Sequence, residues 1–220
     1  MQNKAVEDYL KTIYDLQREH GKVATTVLAE RLALTPASVT GMIKKLAGMH
    51  LLEHEPYQGV VLTAAGEKIA LEVIRHHRLI ERYLAEALGV PWDKVHEEAD
   101  KWEHVLSEEM EDRIDAMLGY PTTDPHGAPI PTRDGTMAPP VRERLSDLQP
   151  GQVATVAEVN DHDPAVLRYL GELGLYPGAR VEVLAVAPFN GPLTVRLAGA
   201  EHALGREVAA FVSVSAIEPA

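Results

Sequence analysis

The chain has 220 residues, enough for one large domain or two to three small ones. Apolar residues make up 45% and charged residues 25%, ordinary for a chain that buries a core, and no stretch approaches the roughly 20 apolar residues of a membrane span. The start, MQNKAVEDYL, lacks the apolar segment of a signal peptide, and the absence of cysteine excludes disulfides, thiol nucleophiles and thiolate metal sites, so a cytoplasmic location is the expectation.

A formal charge of −12 argues against a nucleic-acid partner only until its distribution is read. Residues 1–70 carry 8 Lys and Arg against 8 Asp and Glu, residues 71–125 carry 6 against 14, and residues 126–220 carry 7 against 11. A neutral N-terminal third can present local positive charge to phosphate, whereas the acidic middle suits cations.

In chain order, Val6, Leu10, Ile13 and Leu16 recur at helical spacing and predict a first helix. A second is expected over residues 26–34, with Val27, Leu28 and Leu32 as its apolar face. Thr35-Pro36 supplies an N-cap and a proline at the first helical position, opening a third helix that runs to about residue 49. Two β-like runs, 51–54 and 60–63, flank Glu55-Pro56-Tyr57-Gln58-Gly59. Three helices and a hairpin are the order of a winged helix-turn-helix. One long helix is then expected over 64–87 and another over 93–117. Residues 119–140, with six Pro and three Gly, read as a linker or extended wrap. Short strands at 153–159, 180–186, 193–197 and 211–214, with a helical stretch near 165–173, suggest a small β-barrel.

Within the helix-turn-helix, Ala29 is small where two helices approach, and Val39, Ile43 and Leu46 give the third helix one apolar stripe. Thr35, Ala37, Ser38, Thr40, Lys44 and Lys45 remain for its other side. Small hydroxyl residues near a helix start can enter a major groove, and lysines neutralise phosphate. The alternative is a helical hairpin with a solvated polar face.

His96, Asp100, Glu103, His104 and Ser107 share one face if residues 93–117 are one helix, opposite Val95, Ala99, Trp102 and Leu106. His77 and Glu81 stand at i, i+4 among Val73, Ile80 and Leu84, so both are expected to be half buried and to need a partner. Segment 93–112 holds nine acidic residues against two basic ones, a repulsion that a divalent cation would offset. A solvated acidic face with core histidines is the competing reading. Asp8 points away from the Val6/Leu10/Ile13 stripe and by itself reads as exposed.

The runs Val6 to Tyr14, Arg75 to Glu81 and Val95 to Ser107, with the connector Asp124-Pro125-His126-Gly127-Ala128-Pro129-Ile130-Pro131, resemble the diphtheria-toxin-repressor family of metal-dependent regulators, including its manganese-transport-regulator branch. The C-terminal part resembles the SH3-like domain shared with ferrous-iron-transport accessory proteins. The resemblance implies a mainly α fold with a small β domain: a winged helix-turn-helix over 1–70, a helical metal-binding and dimerisation domain with its Pro-rich connector over 71–140, and an SH3-like β-barrel over 141–220. It implies a primary metal site of Asp8, Asp100, Glu103 and His104, and an ancillary site of His77, Glu81 and His96, to which Glu158 and Asp161 fit as additions from the β domain.

Iron-responsive relatives place Met and Cys where this chain has Asp8 and Asp100, which favours Mn²⁺ over Fe²⁺ as effector. Shorter manganese regulators place Glu where this chain has Lys11, so the implied arrangement is that of the iron-type members. The implied function is a homodimeric repressor of metal-uptake genes, not an enzyme, that binds palindromic operator DNA when metal-loaded. The competing classes are a metalloenzyme built on the His/carboxylate cluster, against which stands the absence of an HExxH pattern, and a metal-independent winged-helix regulator.

Overall fold

The computed structural model describes residues 4–55 and 58–219, so Pro56 and Tyr57 of the expected wing loop lie outside the described residues. The chain forms two compact units. One holds the residues through His77 together with Lys101–Glu111 and Pro131–Thr136; the other holds Arg78–Asp100, Asp112–Ile130 and the chain from Met137 onward.

In the first unit, helix α1 (Lys4–His20) buries Val6, Leu10, Ile13 and Leu16. Helix α2 (Thr25–Arg31) is shorter than expected, because Ala33 turns to a positive φ of 52° and ends it. Its buried face is Leu28 and Ala29 alone, which leaves Val27 37% exposed, against the expectation. Helix α3 (Pro36–Gly48) begins as the sequence predicts: Thr35 Oγ1 accepts from Ser38 N at 3.2 Å, and Val39, Ile43 and Leu46 are buried. Strands β1 (Leu52–Glu55) and β2 (Gly59–Leu62) pair antiparallel, and Val60 bridges Val23, seating the hairpin against the α1–α2 connection. Helix α4 runs Ala64–Leu88.

The single helix expected over 93–117 is two helices, α5 (Val95–Trp102) and α6 (Glu108–Met117). The break follows from Ser107, whose Oγ accepts from Met110 N and whose carbonyl accepts from Glu111 N, as an N-cap does. Three acidic side chains in the next turn complement the helix dipole. Glu103 and His104 therefore lie beyond the end of α5, not on a continuous helical face. Trp102, expected in the core, is 40% exposed.

In the second unit, the proline-rich connector is anchored rather than free. Asp124, His126, Ala128 and Ile130 are buried, and Asp124 Oδ1 accepts from both His126 N and Ala128 N. Gly127 has φ +92°, and a Cβ there would stand 2.1 Å from the Ala157 carbonyl, so this close approach to the sheet requires glycine.

The sheet comprises β3 (Gln152–Val159), β4 (Arg180–Val186), β5 (Leu193–Leu197), β6 (Ala200–Leu204) and β7 (Val212–Pro219), all antiparallel in the order β6-β5-β4-β3-β7. Bulges on β3 and β4 bend it around a core that includes Leu145, Val156, Leu167, Leu170, Val181 and Val195. Helix α7 (Pro164–Leu173), capped by Asp163, packs against that core. The fold is thus helical with a C-terminal SH3-like sheet, as expected. Strand β6 was not foreseen: Ala-Glu-His-Ala has little strand propensity, and its signal was the two-residue turn Ala198-Gly199, with φ 47° and 87°. Among the described residues, no helix is long and apolar enough to cross a membrane.

Candidate metal centre

Among the described residues, ligand-capable side chains cluster within each unit. In the first unit, Asp8, Glu103 and His104 offer atoms that all lie within 4.8 Å of one another. Helix α1 supplies Asp8, which is half exposed instead of fully so; the turn after α5 supplies the other two. His104 Nδ1 donates to Glu7 Oε2 at 2.6 Å, which turns Nε2 toward Asp8 Oδ1 at 2.8 Å and Glu103 Oε1 at 3.1 Å. Neither approach is aligned as a hydrogen bond, and Nε2 has no hydrogen-bond partner among the described residues. Glu7 Oε1, on a residue 3% exposed, has none either. A cavity of about 220 Å³, lined in part by Glu7, Glu72, His76, Glu103 and His104, reaches these atoms.

The other oxygen of Glu103 is already engaged. Lys11 Nζ donates to Oε2 at 2.7 Å and stands 3.1 Å from His77 Nδ1, and His77 also bonds Oε2. Burial pushes the Glu103 carboxyl up, but His77 and the Lys11 ammonium outweigh it and hold it at about 2. Beside it, Arg75 and His76 both bond the buried Glu111.

In the second unit, Glu81 on α4, His96 on α5 and Asp161 after β3 form one group, and Glu81, Asp124 and His126 form another that shares the buried Glu81. His96 Nδ1 stands 3.1 Å from Glu81 Oε1 and 3.3 Å from Asp161 Oδ2. His126 Nδ1 faces Glu81 Oε2 at 4.0 Å and Asp161 Oδ2 at 3.9 Å and makes no hydrogen bond among the described residues. Asp124 Oδ2 likewise lacks a hydrogen bond, with Arg78 Nε at 3.7 Å. Burial and the neighbouring Glu81 raise Asp124 to about 7. Burial alone would lower His96, yet Asp161 and Glu81 raise it to about 10. Asp161 is held far below the usual carboxylate range by His96, against the opposing effect of burial.

Of the residues named from sequence, Asp8, Glu103 and His104 come together, as do Glu81, His96 and Asp161. His77 lies against Glu103 and Lys11 in the first unit. Asp100, in the second unit, faces His96 Nε2 at 3.9 Å, and Glu158 is half buried on β3 outside these groups. Sequence reasoning missed Glu7, Asp124 and His126 as site residues. The available signal was Asp-Pro-His-Gly within a proline-rich stretch, where ionisable residues have no reason to be buried unless something pairs with them. The N-cap Thr35 is exposed, as are Ala37, Ser38, Lys44 and Lys45 on α3; Thr40 is half buried, its hydroxyl donating to the Pro36 carbonyl at 2.7 Å.

Buried imidazole nitrogens and carboxylate oxygens without partners cost stability unless something binds them. Here they converge in sets made only of oxygen and nitrogen donors, the chemistry of a divalent first-row cation. The residues present fit such an ion.

Comparison with known proteins decides the family. The N-terminal DNA binding domain of the iron dependent repressors matches residues 1–60, their metal binding and dimerisation domain matches residues 63–132, and the FeoA domain matches residues 143–216. The iron-dependent repressor IdeR of Mycobacterium tuberculosis (strain ATCC 25618 / H37Rv) is 34% identical over 224 residues, covering 96% of each chain. The chain belongs to the iron-dependent repressor family. Another similar member is the diphtheria toxin repressor of Corynebacterium jeikeium (strain K411), 31% identical over 202 residues, which span 81% of this chain and 84% of that one. Among solved structures, a manganese-dependent transcriptional repressor in complex with manganese superposes with a TM-score of 0.87 at 39% identity, covering 95% of this chain and 98% of the other. As a member of the iron-dependent repressors, the chain is a metal-responsive transcriptional regulator.

Proposed function

We propose that this iron-dependent repressor family member is a homodimer that silences metal-uptake genes in the cytoplasm, binding palindromic operator DNA when loaded with Mn²⁺, with Fe²⁺ as the alternative effector. One observation carries the reading. Two imidazole nitrogens, His104 Nε2 and His126 Nδ1, face carboxylate oxygens with no hydrogen-bond partner among the described residues, in a chain without a single thiol. Hard oxygen donors with imidazole suit Mn²⁺ better than sulfur-bearing sets would.

Asp8, Glu103 and His104 would hold one cation, and Glu81, His96, Asp124, His126 and Asp161 supply the donors for a second. The family pattern adds Glu158, half buried on β3 of the same unit, to the second set. When bound, the cation supplies positive charge that lets neighbouring carboxylates share one locus. Asp8 rides on α1, whose Leu10 and Ile13 sit in the core of the helix-turn-helix unit. Glu103 and His104 belong to the segment 101–111 of the same unit. Drawing them together ties α1 to that segment and fixes the posture in which α3 offers Ser38, Lys44 and Lys45. A dimer reads two half-sites about one helical turn apart, so a fixed posture favours binding.

The test is fluorescence anisotropy on an operator selected from random DNA by the Mn²⁺-loaded protein. Mn²⁺ should tighten binding by about 5- to 150-fold relative to chelated protein, the usual range of allosteric coupling. Asp8→Ala should lose that gain while keeping the circular dichroism of the wild type. Lys44→Ala should weaken binding to all sequences and reduce the salt slope by about one. Equal affinity with and without metal would sink the proposal.

A further inference from the structure

The imidazole of His126 is oriented by a residue that offers no ligand atom to the cluster. Its Nε2 lies 2.8 Å from the main-chain carbonyl of Trp92. A carbonyl only accepts, so Nε2 carries the proton. The indole of Trp92 stacks on the imidazole, centroids 5.6 Å apart and planes 30° apart. Tyr176 packs against the same indole at 4.7 Å. Helix α7 of the β domain completes the mounting. Gly171 leaves room for both rings, since a Cβ there would stand 2.8 Å from the Tyr176 hydroxyl and 3.0 Å from Trp92 Nε1. Arg168 on the same helix bonds the adjacent Asp93 at 3.0 Å.

We infer that Trp92 is a positioning residue, holding His126 in the tautomer and rotation that present an unprotonated Nδ1 to Glu81 and Asp161. The inference rests on the reading of this cluster as a metal centre. Partners that fix the tautomer of a ligating histidine commonly matter about 10- to 100-fold for metal affinity. Helix α7 thereby acts on the cluster without contributing a ligand: it sets the indole, and the indole sets the imidazole. A tryptophan serving only as packing for the β-domain core would leave the proton on His126 indifferent to the ring.

The experiment uses the full chain labelled with ¹⁵N-histidine and stripped of metal. His126 is assigned by comparison with His126→Gln, and its ring nitrogens are read by long-range ¹H–¹⁵N correlation. In wild type His126 should show one tautomer, protonated at Nε2; in Trp92→Ala the signals should move to an exchange average, and Trp92→Phe should restore most of the wild-type pattern. Gly171→Ala, which displaces the rings without deleting them, should shift the pattern in the same direction and serves if Trp92→Ala does not fold. In Mn²⁺ calorimetry the binding component lost in His126→Gln should weaken about 10- to 100-fold in Trp92→Ala, while the component lost in His104→Gln stays unchanged. An unaltered tautomer in the folded Trp92→Ala or Gly171→Ala variants overturns the inference. If instead wild type lacks any component that His126→Gln removes, the metal-centre reading fails, and the tautomer signals still decide the role of Trp92.

Discussion

Glu7 accepts a 2.6 Å hydrogen bond from His104 Nδ1, and this one contact determines which nitrogen His104 presents to Asp8 and Glu103. Glu7 and Asp8 are consecutive on α1, so a single helical turn brings both a candidate ligand and the residue that aims its partner. Carboxylates behind histidine ligands commonly act this way.

Glu7→Ala should therefore weaken Mn²⁺ binding at the Asp8/Glu103/His104 cluster about 10- to 100-fold, measured by calorimetry on the full chain. Glu7→Gln, which keeps an acceptor oxygen, should lose much less. Identical affinities for the alanine and glutamine variants would show that packing and not hydrogen-bond orientation is at stake.

Lys11 places an ammonium 2.7 Å from a carboxylate that also belongs to a candidate cation cluster. Without metal, the ammonium offsets the buried negative charge of Glu103; with metal, it competes for the same electrons. Lys11→Met should destabilise the chelated protein by about 3 kcal/mol, as when one member of a buried pair is removed, yet tighten Mn²⁺ binding. Urea denaturation with and without Mn²⁺ checks both signs. Loss of stability together with loss of affinity would mean that Lys11 only props the fold.

The buried Glu111 makes stability depend on pH in a defined way. Its hydrogen bond with His76 and the Arg75 guanidinium hold it at about 2 against the opposing effect of burial. Burial would lower His76, but Glu111 and the Glu103 carbonyl raise it above its ordinary value. A depressed carboxylate contributes stability above its unfolded value of about 4.3 and loses that contribution as pH falls toward 2. A raised imidazole contributes below its unfolded value of about 6.5 and loses it as pH rises through the folded value. The stability gap between wild type and Glu111→Gln, in the presence of chelator, should be widest between about pH 4.5 and 6.5. It should narrow on both sides. A gap constant from pH 3 to 8 would show that the pair is not ionised as described.

Local rules made much of the architecture legible in the sequence. Thr35-Pro36 fixed the start of α3 because capping needs only residues within one turn, and alternation and periodicity placed β1, β2, α4 and four strands of the sheet. The pairing of polar residues on α4 with apolar neighbours predicts that His77 and Glu81 are half buried; the fold buries both more deeply, at 4% and 0% exposure. Periodicity failed between Trp102 and Glu108, where the Ser107 cap interrupts a pattern that an uninterrupted helix would also satisfy.

What the tertiary structure decided is who meets whom. Asp8 and His104 are 96 positions apart, and nothing local to either states that they share a cluster; only the packing of α1 against the turn after α5 does so. His126 is a connector residue by composition and a buried imidazole by circumstance, because Gly127 lets the chain pass against β3 and Asp161 follows from that strand. Sequence specifies backbone geometry over a few residues, where rotamers and hydrogen bonds close on themselves. Convergence of charged groups from distant segments is set by the burial of the apolar surfaces that carry them, and that is a property of the folded whole.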